Sequence, residues 1–147
     1  MALSERLSDD LKKALKTGDK DTVSVVRMIK AAVKNKEIDK KVPLEDEEIY
    51  AVLNSMIRQS KDSIEQFAKG RREDLVRQET RELSILQSYL PPQLAEDEVR
   101  KIIKDAIIEA GASGLKDMGK VMKLIMPKVK GQVEGKLLSE LVKESLA

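Results

Sequence analysis

Two consecutive prolines, Pro91-Pro92, interrupt a chain whose apolar residues otherwise recur every three or four positions. The pair removes two backbone donors and biases Leu90 away from helical geometry, so a helix cannot run through it. On both sides the apolar spacing is that of amphipathic helices, and no segment alternates with the period of a strand. The chain therefore reads as all-α, with an N-terminal long-helix subdomain over residues 1–92 and a compact C-terminal three-helix unit over residues 93–147.

Leu3, Leu7, Leu11 and Leu15 predict a helix over 4–17, stopped by Gly18. Asp19 is placed to cap a second helix that runs to about Ile38 with Val23, Val26, Ile29 and Val33 inward. After a charged loop containing Pro43, a third helix starts near Asp46, where Asp46, Glu47 and Glu48 complement the helix dipole. Its stripe is Ile49, Val52, Leu53, Met56, Ile57, Ile64 and Phe67, and it ends at Gly70 after roughly 36 Å. A fourth helix begins near Arg72 and buries Leu75, Leu83, Leu86 and Leu90. Beyond the prolines, helices are expected over 96–110, 117–129 and 135–146, with Gly111 and Gly114 breaking the chain after the first of these. Leu137, Leu138, Leu141, Val142 and Leu146 are expected inward in the last.

The chain has 147 residues and neither cysteine nor histidine. Thiol and imidazole chemistry and the usual zinc donor sets are thereby excluded, and no metal, cofactor or catalytic residue is assigned. Ser84 and Ser88 stand one helical turn apart with no base in the pattern. No apolar run approaches the roughly 20 residues that a membrane span needs, and the N-terminus has no leader pattern. These features predict a soluble, cytoplasmic protein. Residues 1–99 carry 18 basic and 20 acidic side chains, whereas residues 100–147 carry 10 and 6, so positive charge gathers at the C-terminal end. That bias suits an anionic partner.

The sharpest concentration is between Lys116 and Lys136, where six lysines face two acids, Asp117 and Glu134. Lys116, Lys120 and Lys123 share a helix side by three- and four-residue spacing. With Lys128, Lys130 and Lys136 they form either a solvated face or a phosphate-contacting surface. Gly119 lies in the first turn of the same helix, where alanine would stabilise by roughly 1 kcal/mol more. Its absent side chain serves either close helix packing or approach of a ligand to the backbone, and Gly131 and Gly135 raise the same choice. Pro127 removes the hydrogen bond to the Lys123 carbonyl and ends the helix. Gly114 to Lys120 matches the opening of a phosphate-binding loop, but Val121 stands where Ser or Thr must hold magnesium, and a helix, not a strand, precedes it. Arg71, Arg72, Arg77 and Arg81, interleaved with Glu73, Asp74, Glu79 and Glu82, read as a salt-bridged solvent face with Glu73 paired to Arg77. Met28, Met56, Met118, Met122 and Met126 read as core fillers in preference to a flexible peptide groove.

The run Asp117-Met-Gly-Lys-Val-Met122, with Met126-Pro-Lys-Val-Lys-Gly131 and Gly135-Lys-Leu137, resembles the signature of the GatB/YqeY family. There it marks the tail domain of the B subunit of the tRNA-dependent amidotransferase. Leu3 to Leu7, Ser24-Val-Val-Arg-Met28, Arg71 to Val76, Glu82 to Leu86 and Tyr89-Leu-Pro-Pro-Gln-Leu94 are similar to stand-alone YqeY proteins, so the resemblance covers the whole chain. Family members often carry Thr or Ser at the helix starts near Glu45 and Ala95; this chain has neither. The resemblance implies an all-helical, two-part protein whose relatives touch tRNA, under the family label of a carbon–nitrogen ligase with glutamine as amido-N-donor. Neither a glutaminase site nor an ATP-activating site is present in the sequence. The implied role is therefore a non-catalytic module binding tRNA or a tRNA-handling complex. The alternatives are an interaction scaffold using the 46–90 helices, and an enzyme of the amidotransferase class. An exposed apolar patch on the 46–69 helix would mark the scaffold, and a basic stripe through Lys120 and Lys128 the RNA binder. A pocket of convergent carboxylates and lysines would mark the enzyme.

Overall fold

The computed structural model describes residues 2–147. Among them are seven α-helices and no strand. These are α1 (Leu3–Thr17), α2 (Lys20–Lys40), α3 (Asp46–Lys69) and α4 (Glu73–Ser88), then α5 (Glu96–Ala110), α6 (Met118–Ile125) and α7 (Gly135–Leu146). Short 3-10 turns at Leu115–Asp117 and Met126–Lys128 flank α6. The chain divides into two compact units, the first ending at Leu90 and the second running from Pro91 to Ala147, so both prolines belong to the second.

In the first unit, local signals set most helix ends. Gly18 takes a left-handed φ of 75° and its N–H donates to the Ala14 carbonyl. The Asp19 carboxylate accepts the Thr22 N–H at 3.2 Å and the Thr22 hydroxyl at 2.7 Å. Those bonds hold the Asp19 carboxyl below its usual range. At Glu45, where Ser or Thr is missing, a capping box forms, in which Glu48 reaches back to accept the Glu45 N–H at 3.2 Å. The end of α3 departs from expectation: Gly70 has φ −81°, and the left-handed residue is Arg71, at φ 56°. One end is tertiary. Ala2 offers no side-chain cap to α1, and Asp46 of α3 accepts the Leu3 N–H at 3.1 Å instead.

The first core gathers Leu3, Leu7, Val25, Val26, Ile29, Val33, Leu44, Ile49, Val52, Leu53, Ile57, Leu86 and Tyr89. Leu15, expected inward, is 53% exposed, and Ala14 is buried in its place. A four-residue repeat drifts about 40° per step around a 3.6-residue helix, so by the third step the stripe has left the core. The second core is built on Val99, Ile103, Ala106, Val121, Ile125, Leu138, Leu141 and Val142, with Val129 and Val133 from the loop before α7. Leu137 is 40% exposed and does not join it. The connector is pinned to that loop. The Leu94 N–H donates to the Gln132 carbonyl at 2.8 Å, and the Gln93 amide donates to the Gly131 carbonyl at 2.8 Å.

Candidate nucleic-acid interface

The approach to α6 is set by Gly111 and Asp117. Gly111 closes α5 at φ 63°, its N–H shared between the Ile107 and Ile108 carbonyls. The Asp117 carboxylate then turns back to accept the Ser113 N–H at 3.0 Å, and its own N–H donates to the Gly114 carbonyl at 3.0 Å. The Ser113 bond, with Lys120 and Lys116 nearby, holds the Asp117 carboxyl below its usual range. The 114–120 segment is thus a 3-10 turn running into a helix, not a phosphate-binding loop.

Along α6, Val121 and Ile125 are fully buried, while Gly119, Lys120, Lys123 and Met126 are exposed. Helical spacing puts these four on the side opposite the core, with Lys116 at its N-terminal edge. Lys120 lies 3.8 Å from Asp117, and Lys123 has no ion pair among the described residues. Lys128 leaves this face and lies 3.6 Å from Glu109 of α5. Lys130 is exposed in the loop before α7, and Lys136 is exposed in its first turn. A Cβ added at Gly119 or Gly135 would meet nothing within 4 Å, so neither glycine is there for close packing. Gly131 has a different reason: its φ of 69° is left-handed, and its carbonyl receives Gln93. Pro127 acts as expected, with α6 ending at Ile125 and a 3-10 turn beginning at Met126.

The first unit contains a polar cluster that the sequence pattern misassigned. Ser60 is 4% exposed and its hydroxyl donates to Glu79 at 3.0 Å. Burial, together with the charge of Glu79, pushes the Glu82 carboxyl up. Gln78 donates to Asp21 at 2.8 Å, and Arg81 lies 3.4 Å from the same carboxylate. Glu79 and Glu82 therefore face inward between α2, α3 and α4, not outward. The expected Glu73–Arg77 pair is absent, and Arg72 pairs with Asp74 at 3.2 Å. Ser60 falls on the 49–53–57 stripe of α3, and that spacing was the available signal. Tyr89, also missed, is 3% exposed; its hydroxyl donates to Asp10 at 2.6 Å while Arg6 sits 4.7 Å over its ring.

Two methionines are not core fillers: Met28 is 55% exposed and Met126 is 46% exposed. The large exposed apolar residues lie in α1, α2, the 41–45 loop and the second unit, and none lies in 46–90. A cavity of about 200 Å³ brings Glu79 and Glu82 together with Gln59, Ser60 and Ser63, but no lysine lines it. Among the described residues no group of three or more acidic side chains is placed to hold a metal ion. No helix among the described residues is long and apolar enough to cross a membrane.

The family model for Yqey-like proteins matches residues 4–146. Among curated proteins, the chain is 32% identical over 142 residues to "Altered inheritance of mitochondria protein 41, mitochondrial" of Pyrenophora tritici-repentis, covering 95% of this chain and 78% of that one. It is 34% identical over 119 residues to the protein of the same name in Vanderwaltozyma polyspora, covering 76% and 64%. The Kluyveromyces lactis protein of that name is 43% identical over 84 residues, covering 56% and 45%. The chain thus spans less than two thirds of the latter two. These names place the relatives in mitochondria, and so overturn the expectation of a cytoplasmic protein. Composition and the absence of an apolar span among the described residues do not distinguish one compartment from another. From its first helix to its last, the chain belongs to the YqeY-like family.

Proposed function

We propose that the protein is a non-catalytic accessory module whose second unit binds folded RNA. The observation that carries this reading is the outer side of α6, where Lys116, Lys120 and Lys123 surround the uncovered backbone at Gly119. Phosphate contacts ask for mobile positive charge and close backbone approach, and they need no deep pocket. The second unit has no aromatic residue, since Tyr50, Phe67 and Tyr89 all precede Leu90. Bases therefore have no ring to stack on, and recognition goes through backbone and shape. Transfer RNA is the class suggested by the resemblance to the amidotransferase tail, and the relatives' names make mitochondrial transfer RNA the first to test. The reading assigns no reaction.

The test is a fluorescence titration of labelled tRNA at several salt concentrations. If three phosphates are neutralised, affinity falls with a log–log slope of about −3, from roughly 0.9 per contact on duplex DNA. Lys120→Glu with Lys123→Glu abolishes binding, and the same charge change at Arg72 and Arg77 does not. Lys128 is left alone, because a second carboxylate opposite Glu109 would disturb the contact between α5 and the turn after α6. No binding by the wild type at about 50 mM salt, or equal binding by both double variants, sinks the reading.

A further inference from the structure

Between α1 and α2 lies a groove of about 550 Å³ that the RNA reading leaves unused. Buried Ala14 and half-buried Val23 line it, and so do Leu15 and Met28, which are 53% and 55% exposed. Single exposed apolar side chains are ordinary on any surface. Here two large ones, from different helices, line one depression. Lys20 and Arg27 also line it, no acid does, and neither cation has an ion pair among the described residues. The same side of α2 continues through Ala31 and Lys34, which line a second depression of about 370 Å³ with Ser4 and Ser8. Positions 20, 24, 27, 31 and 34 follow three- and four-residue spacing, so this is one helix face. The acid near its far end, Glu37, is committed to the Leu44 N–H at 2.9 Å. Val25, Val26 and Ile29 fill the core, Arg27 is exposed, and Met28 borders both this groove and the cavity beside Ser60.

We infer that this groove docks an acidic amphipathic helix from a partner protein. Apolar side chains interleaved with unpaired cations complement a helix with apolar residues at i, i+3, i+4 and i+7 and carboxylates beside them. The partner's apolar side chains meet Leu15, Val23 and Met28, and its carboxylates meet Lys20, Arg27 and Lys34. The unbranched thioether of Met28 adapts to the shape it receives. Charge around the apolar contact selects an acidic over a basic helix. A nucleic acid is the poorer match, because the floor is aliphatic and offers no ring for a base.

The test titrates the full chain, labelled on backbone nitrogen and methionine methyls, with two synthetic helices of about five turns. Both carry leucine at i, i+3, i+4 and i+7; one carries Glu at its flanking positions and the other Lys. The Glu peptide shifts the Met28 methyl and the Leu15 and Arg27 amides, and binds at least about tenfold tighter than the Lys peptide. Lys20→Glu with Arg27→Glu removes that preference, and Met28→Ala weakens binding while circular dichroism stays unchanged. Lys120→Glu with Lys123→Glu leaves peptide binding intact, which separates this groove from the proposed RNA face. The inference is overturned if Met28 does not shift at the peptide's solubility limit, or if the two peptides bind equally. It is also overturned if Met28 responds instead to the protein's own concentration, which assigns the groove to a second copy, or to tRNA, which assigns it to RNA.

Discussion

Long helices in the first unit are fastened by side-chain bonds between elements far apart in sequence. Tyr89 reaches Asp10, Arg6 donates to the Ser88 carbonyl at 3.1 Å, Ser60 reaches Glu79, and Gln78 reaches Asp21. In the second unit the fastening is of another kind: the connector's Leu94 and Gln93 bind backbone carbonyls of the 131–132 loop, an apolar cluster fills the centre, and the ion pairs Lys128–Glu109 and Arg100–Glu144 lie at the surface. The charges differ in the same way. Lys20 and Arg27 of the first unit border apolar surface at the α1–α2 groove, whereas Lys120 and Lys123 of the second stand exposed on the outer side of α6. A surface of the first kind suits a folded protein segment and one of the second kind suits a phosphate backbone. The two proposals thus rest on two different places on one chain.

The largest effects should come from the two separate cores. Leu53→Ala and Ile103→Ala, both at fully buried positions, should each cost about 2–5 kcal/mol. Because each cluster draws on its own unit, Ile103→Ala should loosen amides of the second unit and spare those of the first. Residue-resolved hydrogen exchange reads this directly. Loss of protection throughout the chain would break the comparison.

A smaller effect should follow from removing one polar fastening. Tyr89→Phe removes the phenol donor from Asp10, whose carboxylate also has Arg6 at 3.9 Å, and should cost the first unit about 1–3 kcal/mol. Burial, then the Asp10 carboxylate, pushes the Tyr89 phenol up. Its contribution is thus fully present below the unfolded tyrosine value of about 10 and is lost as pH rises above that. Urea unfolding of wild type should weaken at high pH more than unfolding of Tyr89→Phe. Parallel pH profiles would show that the hydroxyl is not a fastening.

The smallest effect separates the open face of α6 from the packed helices of the first unit. With nothing within 4 Å of an added Cβ, Gly119→Ala should stabilise the second unit by about 0.5–1 kcal/mol through helix propensity. A lowered melting temperature would mean that the glycine is covered after all, and would weaken the case for backbone approach there.

Much of the helical skeleton was legible because its signals are local. Asp19 caps the helix that follows it, Gly18 and Gly111 take the left-handed geometry that ends a helix, and Pro127 stops α6, each within one turn of its effect. The lysine face was legible in part: spacing alone put Lys116, Lys120 and Lys123 together. It could not show that Lys128 turns to Glu109, because that pairing depends on how α5 lies against the turn after α6. The inward turn of Glu79 and Glu82 was hidden for a related reason. Charged residues at helical spacing look solvated until a buried hydroxyl such as that of Ser60 supplies a donor from another helix.

By itself, then, the sequence determined the helices, most of their ends and the all-α class, since hydrogen bonding within a helix and apolar periodicity are properties of neighbouring residues. The tertiary structure alone decided which apolar residues are core and which are surface. It turned Leu15 and Met28 outward, replaced the missing cap of α1 with Asp46 from α3, and left Gly119 bare. Burial depends on which face of a helix meets a partner, and the identity of that partner lies tens of residues away along the chain.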